Sequence, residues 1–148
     1  HIKGESEDNK DFSEIIEQCG GFKEDKNVGK IIMGGPMMGI AQYTTNIPAN
    51  KGTSGILCLD EEESKTPKAQ NCLRCGKCLD ICPALLQPLY ISAYSLRGEY
   101  ENADNYRALD CIECGSCSFI CPARRPLLQS IRVAKKEIMT LRRNKTTK

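Results

Sequence analysis

Two copies of one cysteine pattern constrain this chain more than anything else in it. NCLRCGKCLDICPA carries Cys72, Cys75, Cys78 and Cys82 ahead of Pro83, and DCIECGSCSFICPA carries Cys111, Cys114, Cys117 and Cys121 ahead of Pro122. Both read C-x2-C-x2-C-x3-C-P, and they lie 39 residues apart by either the first or the last cysteine (111 − 72, 121 − 82). Eight of the ten cysteines sit in these runs. The spacing is that of the bacterial ferredoxin run for a [4Fe–4S] cluster. Three cysteines at steps of three let a tight loop turn three sulfurs toward one face of a cubane. The fourth thiolate must arrive from elsewhere.

In two-cluster proteins the fourth cysteine of each run ligates the other cluster. The expected sets are therefore Cys72, Cys75, Cys78 and Cys121 for one cluster, and Cys111, Cys114, Cys117 and Cys82 for the other. Crossing ties the two runs into one unit and keeps the clusters close, which electron transfer requires. The proline after each fourth cysteine lacks an N–H and turns the chain away. Structural zinc favours two separated C-x2-C pairs and fits three close cysteines poorly. A disulfide framework belongs to secreted chains, and no signal peptide opens this one.

Charge is unevenly spread. Residues 1–71 hold 8 basic and 12 acidic side chains, 72–121 hold 4 and 6, and 122–148 hold 9 and 1. The overall +2 is thus a C-terminal property. The opening HIKGESEDNKD is polar and reads as disordered or as a torn loop, and His1 in place of methionine suggests a fragment or processed piece. Asp11 and Glu14 resemble a capping box for a short helix bearing Phe12, Ile15 and Ile16, ended by Gly20-Gly21. Lys30 to Met33 reads as a buried strand, GGPMMG as a turn, and Ile40 to Thr45 and Gly55 to Leu59 as further strands. Cys19 and Cys58, outside the runs, read as small buried hydrophobes.

DEEESKTPKAQ, Asp60 to Gln70, has no hydrophobic period and marks the best domain boundary. Between the cysteine runs, Leu86, Leu89, Tyr90, Ala93 and Leu96 recur at helical steps, with Pro88 near the first turn and Gly98 at the end. A second short helix is expected from Asn102 to Leu109. After the second run, Leu127, Ile131, Ala134, Ile138 and Leu141 form one apolar stripe on a longer helix. The NKTTK tail should fray. No stretch reaches the ~20 apolar residues of a membrane-spanning helix. Neither a GxGxxG loop, a Walker loop nor a nucleophile arrangement is present, so no catalytic residue is expected. The basic C-terminal segment lacks the aromatic interleaving of a nucleic-acid binder, and no nucleic acid is expected as a partner.

KIIMGGPMMGIA, KGTSGILCL and the two cysteine runs, in this order, resemble the family of the Rnf complex C subunit, from about Cys19 to Lys136. That family belongs to a membrane-associated, ion-translocating ferredoxin:NAD oxidoreductase. The resemblance implies an α+β chain: residues 1–62 as the end of a soluble-ligand-binding β-grasp domain, 63–70 as linker, 71–143 as an α-helical two-cluster ferredoxin domain, and 144–148 as a disordered tail. It implies two [4Fe–4S] clusters, with FMN and NADH bound only on sequence absent from these residues. It further implies an electron-transfer subunit of a translocase, peripheral at the cytoplasmic face of the cell membrane. Its partners would be other subunits of a membrane redox complex and electron carriers such as ferredoxin. Alternatives are a related corrinoid-reducing flavoprotein, a helical-ferredoxin subunit of a quinone-linked dehydrogenase, or a redox-inert metal-stapled module. Within the runs, Arg74 and Lys77 would favour a reduced first cluster, while Glu113 and Asp110 would oppose reduction of the second.

Overall fold

The computed structural model describes residues 10–22 and 27–146, and the expected disorder of the first nine residues lies outside that range. The chain divides between Thr66 and Pro67 into two compact units.

The first unit is a short helix and a small antiparallel sheet. Helix α1, Phe12–Gln18, buries only Phe12. Asp11 occupies its N-cap position, but the side chain makes no capping hydrogen bond, so the expected capping box does not form. The reason is tertiary. The first amides of α1, Phe12 N and Ser13 N, donate to the carbonyls of Ile47 and Thr45 at 3.0 and 3.2 Å. The helix end follows the expectation: Gly20 and Gly21 adopt φ of 104° and 73°, and Gly21 N donates to Ile16 O at 2.9 Å.

Strand β1, Val28–Met33, lies centrally between β2, Ile40–Gln42, and β3, Ile56–Asp60, in the order β2-β1-β3. Both pairings are antiparallel, with Met33 opposite Ile40 on one side and Ile56 on the other. The expected buried strand is only half-buried. Strand β2 stops at Gln42, short of Thr45, because the following carbonyls turn toward α1. GGPMMG makes the β1–β2 connection, where Gly34 sits at φ 100° and a Cβ on Gly39 would clash with Gly35 O. Residues expected to be free linker are partly tied down: Asp60 Oδ1 accepts from Glu63 N at 2.8 Å, and Lys30 Nζ donates to Thr66 Oγ1 at 3.4 Å.

In the second unit the duplicated sequence becomes a duplicated fold. Each run gives a loop, a one-turn helix and then a longer helix: α2, Lys77–Asp80, then α3, Pro88–Arg97; and α5, Ser116–Phe119, then α6, Leu127–Thr146. Three left-handed positions recur in register. They are Arg74 and Glu113 (φ 53° and 59°), Gly76 and Gly115 (77° and 81°), and Leu85 and Arg124 (50° for both). Matching hydrogen bonds accompany them, among them Leu79 N to Gly76 O and Ser118 N to Gly115 O. Pro88 starts α3 and Gly98, left-handed, ends it. The expected Asn102–Leu109 helix is instead α4, Tyr100–Asn105, followed by a 3-10 turn at Ala108–Asp110. Left-handed Arg107 breaks the two apart.

The core is formed by Leu86, Ile91, Ala103, Ala108, Cys117, Leu127, Ile131, Ala134 and Ile138. The stripe expected on α3 is not its core face: Leu96 is 65% exposed, whereas Ile91, Ser92 and Ser95 are buried against α6. Serines carry the contact because their small side chains admit a close helix approach. Their hydroxyls are satisfied across it: Ser130 Oγ lies 2.7 Å from Ser92 Oγ, and Ser95 Oγ donates to Ser130 O at 2.6 Å. A hydrophobic stripe search cannot see such a face. Helix α6 keeps its expected stripe as far as Ile138, with Leu141 42% exposed. It also runs on through 144–146, into the span expected as a tail, whose last two residues lie outside the described range.

Among the described residues, no helix is long and apolar enough to cross a membrane. Four of the C-terminal cations are engaged within the unit. Arg132 and Lys135 pair with Glu113, Arg142 with Asp104, and Lys145 with Glu101.

Candidate metal centres

The eight cysteines of the two runs fall into two groups in the second unit. A cavity of about 570 Å³ is lined by Cys72, Cys75, Cys78 and Cys121. A second, of about 20 Å³, is lined by Cys82, Cys111, Cys114 and Cys117. Each group is three cysteines of one run and the last cysteine of the other. The local cause is the left-handed glycine after the second cysteine of each run, Gly76 and Gly115, together with the one-turn helix that carries the third cysteine. None of the ten cysteines forms a disulfide.

Proton affinities report the same grouping. Burial is the main cause that raises the Cys78 thiol, and Cys121 and Cys72 raise it further by charge repulsion. Cys111 is raised chiefly by burial, with Cys82 among its repelling neighbours. Burial pushes Cys117 up to about 11, and Cys111 and Cys114 add to this. Cys114 alone is lowered, mainly by its hydrogen bond with the Ser116 hydroxyl, 3.4 Å away. Metal ligation requires thiolates, so ligand binding at the raised thiols is coupled to proton release.

Main-chain donors already face the sulfurs. Arg74 N reaches Cys72 Sγ at 3.3 Å and Glu113 N reaches Cys111 Sγ at 3.4 Å, a pair related by the repeat. Leu86 N reaches Cys82 Sγ at 3.4 Å, and the amide of Leu89 in the first turn of α3 bonds Cys78. These donors favour the charged thiolate over the thiol.

The two sites differ in setting. The first run is open, with Cys75 exposed, whereas Cys117 of the second run is buried at 8%. The larger cavity is lined by Arg74, Lys77, Arg97 and Arg125 and by no carboxylate; the smaller has no charged lining residue. Glu113 is held by Lys135 Nζ at 2.7 Å and Arg132 Nε at 2.9 Å, which pull its carboxyl below the ordinary range, the Lys135 hydrogen bond most of all. Lys135 also donates to Cys111 O at 2.7 Å, fastening the second run to α6.

An iron–sulfur group fits the donor set at both sites: four thiols each, backed by N–H donors. The larger cavity has the volume for an inorganic core. The smaller holds about one water's worth of space, with Leu86, Leu128 and Ile131 among its lining residues. Among the described residues, no three Cys, His, Asp or Glu side chains meet at a point suited to one metal ion.

Several contributors carry no clear signal in the sequence. Leu89, Tyr90 and Ala93, expected on an apolar core stripe, line the larger cavity together with Tyr94. Tyr106 stacks on Tyr90 with centroids 5.5 Å apart and lies 5.3 Å from Tyr94. Arg125 is one of two adjacent arginines in a basic stretch, and only aligning the two runs, which puts it at the step that Leu86 occupies in the first, could have found it. In the first unit, Cys19 is exposed and Cys58 half-buried, not buried as expected, and both line a shallow cavity of about 450 Å³. Burial raises the Cys58 thiol, which keeps it protonated and poorly nucleophilic.

Residues 64–122 match the family model of a 4Fe–4S dicluster domain. The chain is similar to the C subunit of the Na(+)-translocating ferredoxin:NAD(+) oxidoreductase complex of Acetobacterium woodii, at 55% identity over 132 residues, covering 89% of this chain and 29% of that protein. It is 49% identical over 127 residues to the C subunit of the proton-translocating ferredoxin:NAD(+) oxidoreductase complex of Clostridium ljungdahlii, covering 85% and 27%. Similarity extends to the C subunit of the ion-translocating oxidoreductase complex of Methanosarcina acetivorans, at 43% over 128 residues, covering 86% and 28%. The chain thus spans less than a third of the length of these curated relatives.

Proposed function

This chain is homologous over most of its length to the C subunits of ion-translocating oxidoreductase complexes, and from that premise we propose that it is an electron-relay segment of such a protein. Cys72, Cys75, Cys78 and Cys121 would hold one [4Fe–4S] cluster, and Cys111, Cys114, Cys117 and Cys82 the other. The observation that carries this reading is the sorting of eight thiols into two groups of four, each drawn from both runs. When bound, such a cluster stores and releases one electron at a potential set by charge, hydrogen bonds to sulfur and burial.

The chain's own residues prepare both sites for that role. Main-chain amides of Arg74, Leu86, Leu89 and Glu113 stabilise thiolates, and the Ser116 hydroxyl does the same for Cys114. Leu86, Leu128 and Ile131 give the second site an apolar lining. The open first site suits exchange with an outside carrier, the enclosed second site an internal step. Two sites together take the two electrons that a nicotinamide or flavin carrier delivers, one at a time.

In this reading the donors and acceptors are other subunits of the complex and a ferredoxin-like carrier, and FMN and NADH bind outside residues 1–148. Residues up to 62 form part of a β-grasp domain, a reading supported by the three-stranded antiparallel sheet with its helix. The protein sits peripherally at the cytoplasmic face of the membrane and serves a translocase. Iron and sulfide analysis with EPR on anaerobically purified protein tests the core of the proposal. About eight irons and eight sulfides per chain are expected for two such clusters. Stoichiometric zinc, or about two irons, would overturn it.

A further inference from the structure

We infer that Arg125 is the charged donor that raises the reduction potential of the site formed by Cys72, Cys75, Cys78 and Cys121, so that this site takes up an electron before the other. The inference rests on the two-cluster reading above.

Arg125 lines the larger cavity together with all four of those cysteines. Its Nε is buried, and among the described residues it is a buried side-chain nitrogen with no hydrogen-bond partner. A guanidinium N–H withdrawn from water needs an acceptor, and a negative one satisfies it best. No carboxylate lines this cavity. Besides the neutral Gln87, Tyr90 and Tyr94, the side-chain acceptors lining it are the cysteine sulfurs, which carry negative charge as thiolates. A [4Fe–4S] group with its four thiolates is an anionic, sulfur-surfaced body, and its sulfurs accept hydrogen bonds that tune potential.

The duplicated fold supplies an internal comparison. Arg125 stands four residues past Cys121, and Leu86 stands four residues past Cys82. The preceding residues, Arg124 and Leu85, share a left-handed φ of 50°, so the local backbone is common to both copies. Leu86 is 5% exposed and lines the smaller cavity. The same step in the scaffold thus presents an apolar side chain to one site and a fixed positive charge to the other.

The sign follows from charge. One electron entering the first site raises its negative charge by one, with no bond made or broken. A nearby cation stabilises that reduced state more than the oxidised one. Arg74, Lys77 and Arg97 line the same cavity but are exposed, so solvent and salt screen them. Arg125 is the shielded member. At the second site the Glu113 carboxylate, two residues past Cys111, is already paired with Lys135 and Arg132, and no charged side chain lines the cavity.

The test is an anaerobic EPR-monitored redox titration of the purified protein and three variants. Arg125→Leu copies Leu86, Arg125→Lys keeps charge but loses the guanidinium, and Arg124→Leu copies Leu85 as a control for lost surface charge. Signals are assigned to sites with Cys75→Ala and Cys114→Ala. Arg125→Leu should disfavour reduction of the first site about tenfold, a shift of ~59 mV for one electron. The second site should move by less than half as much, Arg125→Lys should fall between, and Arg124→Leu should leave both close to wild type. If Arg125→Leu fails to assemble clusters, the Arg125→Lys shift decides. Unchanged first-site potentials with iron content intact, or equal shifts at both sites, would overturn the role of Arg125. Wild-type protein lacking about eight irons would instead sink the two-cluster reading itself.

Discussion

Ser95 donates a 2.6 Å hydrogen bond from its hydroxyl to the backbone carbonyl of Ser130, across the interface of α3 and α6. Both residues are buried, and Ser130 bonds Ser92 in turn. These helices belong to different copies of the repeat, so the serine seam joins the duplicated halves alongside the shared apolar core. Ser95→Ala should cost about 0.5–1.5 kcal/mol, the net value of one such bond. Ser95→Leu should cost at least the ~1–3 kcal/mol of overpacking, because the seam has no room for it. Denaturant unfolding monitored by far-UV circular dichroism measures both. A more stable Ser95→Leu protein would mean that the seam is loosely packed.

Glu113 offers a pH-resolved prediction. Its carboxylate is paired with Lys135 and Arg132, and its pKa lies below the ordinary value of 4.5, with the Lys135 hydrogen bond as the leading cause. A depressed folded pKa adds stability above the unfolded pKa, and that stability is lost as pH falls through the folded value. Glu113→Gln should therefore lower stability at pH 7 by about 1.5–3 kcal/mol, as for hydrogen bonds to a charged group. The gap to wild type should narrow once pH falls below the ordinary carboxylate range. Unfolding curves at pH 7 and in the acid range test this. A gap that widens on acidification would assign the destabilisation to another cause.

Sequence makes some features legible and hides others, for physical reasons. The cysteine pattern is visible because cluster ligation fixes spacing in the chain itself. Pro88 and Gly98 mark the ends of α3 because proline and left-handed glycine act locally. The core face of α3 departs from the apolar stripe because Ile91, Ser92 and Ser95 are chosen by close helix contact, which hydropathy does not record. Asp11 fails to cap α1 because carbonyls more than thirty residues away take the helix amides, a purely tertiary decision. Arg125 is hidden for the same kind of reason: nothing in an arginine pair reveals that the Nε of one will be buried in a residue lining the cavity of Cys121.

Iron removal should loosen the second unit unevenly. Helix α2 buries none of its residues, and the loop from Leu73 to Lys77 is exposed throughout. Few apolar contacts hold that segment, so metal ligation carries most of its order. By contrast, Leu127, Ile131, Ala134 and Ile138 anchor α6 in the core. After anaerobic chelation of iron, hydrogen exchange should rise sharply across 72–82 and little across 127–138. Equal loss of protection in both segments would mean that the helical core itself depends on the metal.

The proposed crossed ligand sets make the sharpest prediction, because sequence proximity and spatial grouping point to different outcomes. Cys82 is near Cys78 in the chain, yet it lines the cavity of Cys111, Cys114 and Cys117, and it is Cys111 whose proton affinity it perturbs. Cys121 likewise lines the cavity of Cys72, Cys75 and Cys78 and perturbs Cys78. Removing one thiolate ligand should alter a single cluster, by iron loss or changed coordination, and leave its neighbour near its native spectrum. Cys82→Ala and Cys114→Ala should therefore change the same EPR signal, while Cys121→Ala and Cys75→Ala change the other. Each variant should retain at least about four of the eight irons of the intact pair. Because the second site is the more enclosed, Cys82→Ala also leaves a small void against Leu86 and Leu128, so a modest stability loss should accompany its spectral change. Should Cys82→Ala instead share its altered signal with Cys75→Ala, each run binds its own cluster. The grouping of thiols in the structure would then not be the grouping of ligands.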